Sequence, residues 1–155
     1  MHNIDTKLDE LGLVLPTPSA AVANYVPYVV SGNMVIISGQ LPMRNGELVF
    51  KGKVAAEFST EQAQDAARLC GLNILTQLKA ALNGDWSRLV KCVRLGGFVN
   101  CPPDYTDQPK VINGASDLMV DVLGTDIGRH ARAAVGVNAL PLGASVEVEA
   151  MFEIL

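Results

Sequence analysis

Residues 59–82, STEQAQDAARLCGLNILTQLKAAL, carry the clearest periodicity in the chain. Ala63, Ala67, Cys70, Ile74, Leu78 and Ala81 recur by threes and fours and so share one face of a helix. Ser59 is placed to cap that helix, Gln62 three residues on completes a capping box, and Gly84 stops it. Cys70 falls on the stripe and reads as a small core residue. A helix with one apolar face needs a surface to cover, and the flanking segments read as strands.

Upstream, Tyr28 to Gln40 is strand-like with a break at Ser31-Gly32-Asn33. Met34-Val35-Ile36-Ile37 is nearly all apolar, as in a strand covered on both faces. Arg44-Asn45-Gly46-Glu47 predicts a hairpin turn, with Leu48 to Val54 as the returning strand. Nearer the N-terminus, Ile4, Leu8 and Leu11 give residues 3–12 the spacing of a short amphipathic helix, and Pro16 and Pro18 enforce an extended connection.

Downstream, Leu89 to Val99 predicts a strand interrupted by a bulge at Gly96-Gly97. Pro109 to Leu123 predicts a second helix, with Val111, Ala115, Leu118 and Val122 as its buried stripe and Gly124 as its stop. Ala131–Ala139 and Ser145–Leu155 alternate with period two and read as a hairpin closed by residues 140–144. On the first of these strands Ala131, Ala133 and Val135 form the apolar set, and Arg132, Ala134 and Gly136 point away from the helices. On the second, Val146, Val148 and Ala150 oppose Glu147, Glu149 and Met151. This order predicts an α+β fold, a mixed sheet with two long helices on one face, as a single domain over 1–155. The small and apolar Ala134, Gly136 and Met151 on the uncovered face predict a homo-oligomer.

At 155 residues, with 49% hydrophobic and 18% charged residues, the chain has one core and is not disordered. A net charge of −4 and 5% aromatics argue against a nucleic-acid partner. Cys70, Cys92 and Cys101 lack metal-ligand spacing and have only His2 and His130 beside them, so no metal is expected. No apolar run reaches membrane-spanning length, and acids replace a basic leader at the N-terminus, so a soluble, cytoplasmic protein without a membrane partner is expected.

No GxSxG, P-loop or GxGxxG is present. His130 reads as a surface or edge residue, and Cys101, beside Pro102-Pro103, has no basic neighbour to activate it. Arg132, among small residues, needs either a carboxylate across an interface or a ligand. Glu147 is either part of a solvated strand face or a functional acid. Ser38-Gly39-Gln40 follows a buried strand, where glycine lets a ligand approach the backbone.

Two of these segments are distinctive together. Asn33-Met34-Val35-Ile36-Ile37-Ser38-Gly39-Gln40-Leu41-Pro42 resembles a signature of the RidA (YjgF-like) family of reactive-intermediate imine deaminases. Arg132-Ala133-Ala134-Val135-Gly136-Val137-Asn138-Ala139-Leu140-Pro141, followed by Val146-Glu147-Val148-Glu149-Ala150, resembles the family's second signature. The resemblance implies a chorismate-mutase-like fold and a homotrimer whose sheets form an inner barrel, with sites between subunits. It implies hydrolysis of 2-imino or enamine acids to 2-keto acids and ammonia, without a cofactor. By the same resemblance Arg132 pairs with the substrate carboxylate and Glu147 positions the water. Tyr28, Ser38, Gly39 and Asn113 line the pocket. Ala134 stands where many members have cysteine, and a 1–27 N-terminal extension and extra residues at 101–110 mark a longer subgroup. A non-catalytic trimer that binds small carboxylates is the alternative. Labels of endoribonuclease or translation inhibitor on some members find no support in the acidic balance. In a regular final hairpin Arg132 and Glu147 stand about 16 Å apart, so either a bulge shortens the distance or, the favoured reading, they meet across a subunit boundary.

Overall fold

The computed structural model describes residues 3–18 and 23–155. His2 and part of the 1–27 extension lie outside them. Among the described residues, seven strands and four α-helices follow the order α1 (Ile4–Glu10), β1 (Tyr28–Ser31), β2 (Met34–Gln40), β3 (Met43–Arg44), β4 (Glu47–Leu48), α2 (Thr60–Ala81), β5 (Leu89–Asn100), α3 (Gln108–Leu123), α4 (Thr125–Gly128), β6 (Ala131–Val137) and β7 (Val146–Ile154). The main sheet has the strand order β1-β2-β7-β5-β6, with only the β5–β6 pair parallel.

Helix α2 forms for the reasons its sequence gives. Ser59 Oγ accepts from the Gln62 amide while Gln62 Oε1 accepts from the Ser59 amide, closing the capping box. Its stripe, Cys70 included, is fully buried against the sheet. In α3, Pro109 lies in the first turn and the helix ends at Gly124. Val111, Ala115, Leu118 and Val122 face inward as expected. Ile4 and Leu8 of α1 also enter the core.

Strand β7 is the central strand, and its alternation is complete: Val146, Val148, Ala150, Phe152 and Ile154 are buried under the helices. Glu147, Glu149 and Met151 project from the other face, which carries no helix. There the apolar Ile36 is 41% exposed and Val135 46%. The solvent side of the Met34–Ile37 run is therefore uncovered within one chain.

Four expectations need correction. The last two strands are not a hairpin: β5 lies between β6 and β7. Period-two alternation identifies faces but not neighbours, and the turn at Pro141–Gly143, with Leu142 at φ 59°, carries the chain past β5. Second, Arg132 and Ala134 face the helices. Arg132 pairs with the fully buried Leu95, Ala134 with Gly97, and cross-strand partners share a face. It is Ala131, Ala133 and Val135 that point to the open side. Of the small and apolar residues expected on the uncovered face, Ala134, Gly136 and Met151, only Met151 is there. Third, β5 runs unbroken through Gly96-Gly97; its irregularities fall at Leu89–Lys91 and Cys92–Arg94. Gly97 is needed because a Cβ there would strike the Ile112 side chain of α3. Fourth, of Leu48–Val54 only Leu48 pairs in the hairpin, with Met43, next to the Arg44–Glu47 pair. Beyond them, Phe50 O accepts from the Ser145 amide and the Gly52 amide donates to Gly143 O, so this segment ties down the β6–β7 connection instead.

Candidate functional site

The candidate residues fall into two groups. Arg132, Asn113 and Ala134 lie at the β6 edge, under α3. Tyr28, Ser38, Gly39 and Glu147 gather where β1, β2 and β7 meet.

At the edge, the Arg132 guanidinium is held from one side. Nη1 donates to Asn113 Oδ1 at 2.8 Å and to Ser116 Oγ at 3.1 Å, and Nη2 donates to Pro109 O at 3.3 Å. All three acceptors belong to α3. A guanidinium has five N–H donors. Nε–H and the second Nη2 proton have no acceptor among the described residues, and together they form a two-pronged edge suited to a carboxylate. Ala134, next but one along the same face of β6, packs against the core. A cleft of about 290 Å³ lies farther along β6, lined by residues 101–103, 105, 108 and 136–138, and contains none of the candidate side chains.

The second group is built around a bulge. Ile37 pairs with Ala150 and Gln40 with Val148, so Ser38 and Gly39 together oppose one residue. Ser38 is fixed by its hydroxyl, which donates to Val26 O at 2.7 Å, and by its amide, which donates to Pro27 O. Tyr28 is half-buried against the core beside them. At Gly39 the close approach is made by Glu147: a Cβ there would overlap its carboxylate, with Cδ at 2.8 Å.

Glu147 is the perturbed acid of the site. Burial raises its pKa above the ordinary 4.5, and the neighbouring Glu149 charge raises it further. Glu149 has a counterion, Arg94 Nη1 at 3.4 Å. Glu147 has no hydrogen-bond donor among the described residues. A half-buried carboxylate with a raised pKa suits a role in proton transfer.

Within one chain the two groups do not meet. Arg132 aligns with Leu95 and Ala150, Glu147 with Phe98. Glu147 therefore lies two strand spacings and three residues from Arg132, and on the opposite face of the sheet. That separation is about 14 Å.

Two residues of the edge group are not singled out for function by the sequence: Ser116, and His130, which reads there as a surface or edge residue. Ser116 accepts from Arg132, and its Oγ is also 2.9 Å from His130 Nε2. His130 Nδ1 is 2.6 Å from Gly128 O. Their spacing was the available signal: Asn113 and Ser116 are three apart on one helix, and His130 and Arg132 alternate onto one side of a strand. The cysteines contribute no nucleophile of the usual kind. Burial raises the thiol of Cys70, and raises that of Cys92 to about 12. Cys101 is buried and accepts a weak bond from Gln108 Nε2. Among the described residues no cluster of three His, Cys, Asp or Glu is arranged to hold a metal, and no helix is long and apolar enough to cross a membrane.

The chain matches known proteins over nearly its whole length. Residues 5–154 fit the family model described as "YjgF/chorismate_mutase-like, putative endoribonuclease". The protein TCP17 of Trypanosoma cruzi is 45% identical over 151 residues, covering 97% of this chain and 94% of that protein. The crystal structure of Atu1372 from Agrobacterium tumefaciens superposes with a TM-score of 0.92 at 50% identity, covering 98% of this chain and 92% of that one. RidA from the Antarctic bacterium Psychrobacter is 28% identical with a TM-score of 0.59, over 88% and 94% of the two chains. The overall fold is thus shared with solved structures, and the chain belongs to the YjgF/chorismate mutase-like family.

Proposed function

We propose that this protein hydrolyses reactive 2-imino acids, and the enamines that tautomerise to them, to 2-keto acids and ammonia, at sites formed between the subunits of a homotrimer. The observation that carries the reading is the Arg132 guanidinium, pinned by three α3 acceptors with a two-pronged donor edge left over. That edge takes the substrate carboxylate and orients C2. An imine carbon is already electrophilic, so no covalent nucleophile is required. Glu147 accepts a proton from the attacking water as it adds to C2, and returns it to the nitrogen of the tetrahedral intermediate. As the C2–N bond breaks, Glu147 carries the C2 hydroxyl proton to the departing amino group, so ammonia leaves and the hydroxyl oxygen becomes the keto oxygen. The water supplies the oxygen, and no electrons are exchanged.

The trimer supplies what one chain lacks. Arg132 and Glu147 stand on opposite faces, two strands apart, so one substrate can contact both only if they come from different chains. The uncovered apolar sheet face, with Val29, Ile36 and Val135 exposed, provides the surface on which copies associate. Tyr28, Ser38, Gly39 and Asn113 complete the walls. Net charge −4 disfavours RNA as the substrate.

The test is ammonia and pyruvate release from 2-aminoacrylate generated in place by a pyridoxal-phosphate lyase, read against the spontaneous rate. Acceleration that disappears in Arg132→Ala supports the reading. Pyruvate binding without any acceleration would make the protein a carboxylate-binding module instead.

A further inference from the structure

The edge group holds a hydrogen-bonded chain that the proposed reaction does not itself use. Gly128 O can only accept, so His130 Nδ1 must carry the proton of their 2.6 Å contact. In the neutral ring this leaves Nε2 as an acceptor, and at 2.9 Å it takes the single hydroxyl proton of Ser116. With its proton committed to the ring, Ser116 Oγ turns its lone pairs toward Arg132 Nη1, 3.1 Å away. The order runs one way: Arg132 donates to Ser116, Ser116 to His130, and His130 to the backbone at the end of α4. Asn113 Oδ1 takes the second Nη1 proton. Nη1 is therefore saturated, and the guanidinium cannot rotate to offer that nitrogen to a ligand.

We propose that Ser116 and His130 are positioning residues that lock the Arg132 guanidinium so that only its Nε–Nη2 edge faces a small 2-keto or 2-imino carboxylate. The inference rests on the reading of Arg132 as the carboxylate anchor. Its physical content is preorganisation. Arg132 is an exposed side chain on an edge strand, and without the relay its rotamers would have to be frozen when the ligand arrives. Removing the relay therefore weakens carboxylate binding while the chemistry at C2, which depends on Glu147, proceeds as before.

The experiment titrates pyruvate into the full-length protein by NMR and measures turnover of 2-aminoacrylate in parallel. Ser116→Ala and His130→Leu are each expected to raise the pyruvate Kd and the KM about two- to tenfold, with kcat within about twofold of wild type. His130→Gln, whose amide oxygen can take the Ser116 proton, recovers most of the affinity. In an Arg132→Ala background Ser116→Ala adds no further loss, since the relay then has nothing to position. Thermal unfolding of each variant separates this effect from loss of fold: a Tm near wild type with a raised Kd is the expected pair. Unchanged Kd in Ser116→Ala and His130→Leu, while Arg132→Ala abolishes binding, overturns the relay but leaves the anchor intact. Losses of kcat and Tm in step with Kd, not relieved by His130→Gln, also overturn it, because they mark a structural role. Pyruvate binding that survives Arg132→Ala refutes the anchor itself.

Discussion

Arg132, on the edge strand, gives three of its N–H donors to acceptors on one helix and keeps two free. Glu147, on the central strand, is crowded by Gly39 and Glu149 and meets no donor among the described residues. One charge is fully oriented and the other is held under electrostatic strain. The contrast fits the proposed division of labour. An anchor must not move and is built from hydrogen bonds, whereas an acid–base group must change its charge and is built from burial and a like-charged neighbour.

The strongest way to break this comparison is to remove the anchor. Arg132→Ala is expected to lower kcat/KM about a hundred- to ten-thousandfold, the worth of two charge-assisted bonds at about 1.5–3 kcal/mol each. Arg132→Lys should fail nearly as badly, because an ammonium cannot present two parallel donors. Steady-state rates on freshly generated 2-aminoacrylate decide it, and near-normal activity in Arg132→Ala would remove the anchor from the mechanism.

The next effect separates the two groups in space. Glu147→Gln should cost about a hundredfold in kcat with pyruvate affinity largely kept. If Arg132 and Glu147 of one site come from neighbouring chains, mixing Arg132→Ala with Glu147→Gln and allowing subunit exchange should restore about a quarter of wild-type activity. Random assortment makes three-quarters of the trimers hybrids, each with one intact site of three. No recovery, with exchange demonstrated by mass, would place both residues of a site in one chain.

These two groups also show what a sequence can and cannot disclose. The capping box of Ser59 and Gln62, the stripes of α2 and α3 and the alternation of β7 are local patterns, and each forms as read. The Ser38-Gly39 bulge and its closeness to Glu147 depend on β2 lying beside β7, a pairing of residues more than a hundred apart. The face of Arg132 is misassigned by the sequence for a related reason. Both alternating sets of β6 are small, and on an edge strand neither set is deeply buried, so composition does not say which side meets the helix. The misread hairpin follows from chain proximity, since strands joined by a five-residue connection usually pair. Ser116 and His130 escaped because each is an unremarkable polar residue until α3 is laid along β6.

A smaller effect probes the crowding at Glu147. Gly39→Ala puts a methyl group where its carboxylate lies, and the bulge backbone, tied to Val26 and Pro27 through Ser38, cannot easily retreat. The carboxylate must swing away. We expect about a tenfold loss in kcat with little change in pyruvate affinity, since the displaced group is not the anchor. Equal losses of both would mean that Gly39 contacts the ligand directly.

The smallest expected effect concerns why the Glu147 pKa is raised. Burial is the larger cause and the Glu149 charge the lesser. The acid limb of kcat/KM should therefore lie above the ordinary glutamate value of 4.5, where Glu147 loses its proton and becomes able to accept one from water. Glu149→Gln removes the lesser cause only, so the limb should move toward lower pH without reaching the ordinary value. The same shift has a signature in stability. A carboxyl whose pKa is higher folded than unfolded binds its proton more tightly in the folded chain. Its contribution therefore falls as pH rises from 4.5 through the folded value, and levels off above it. Glu147→Gln should flatten that part of the stability–pH curve, and Glu149→Gln should narrow it. An acid limb that does not move in Glu149→Gln would assign the whole shift to burial, with Arg94, 3.4 Å from Glu149, neutralising the neighbour's charge.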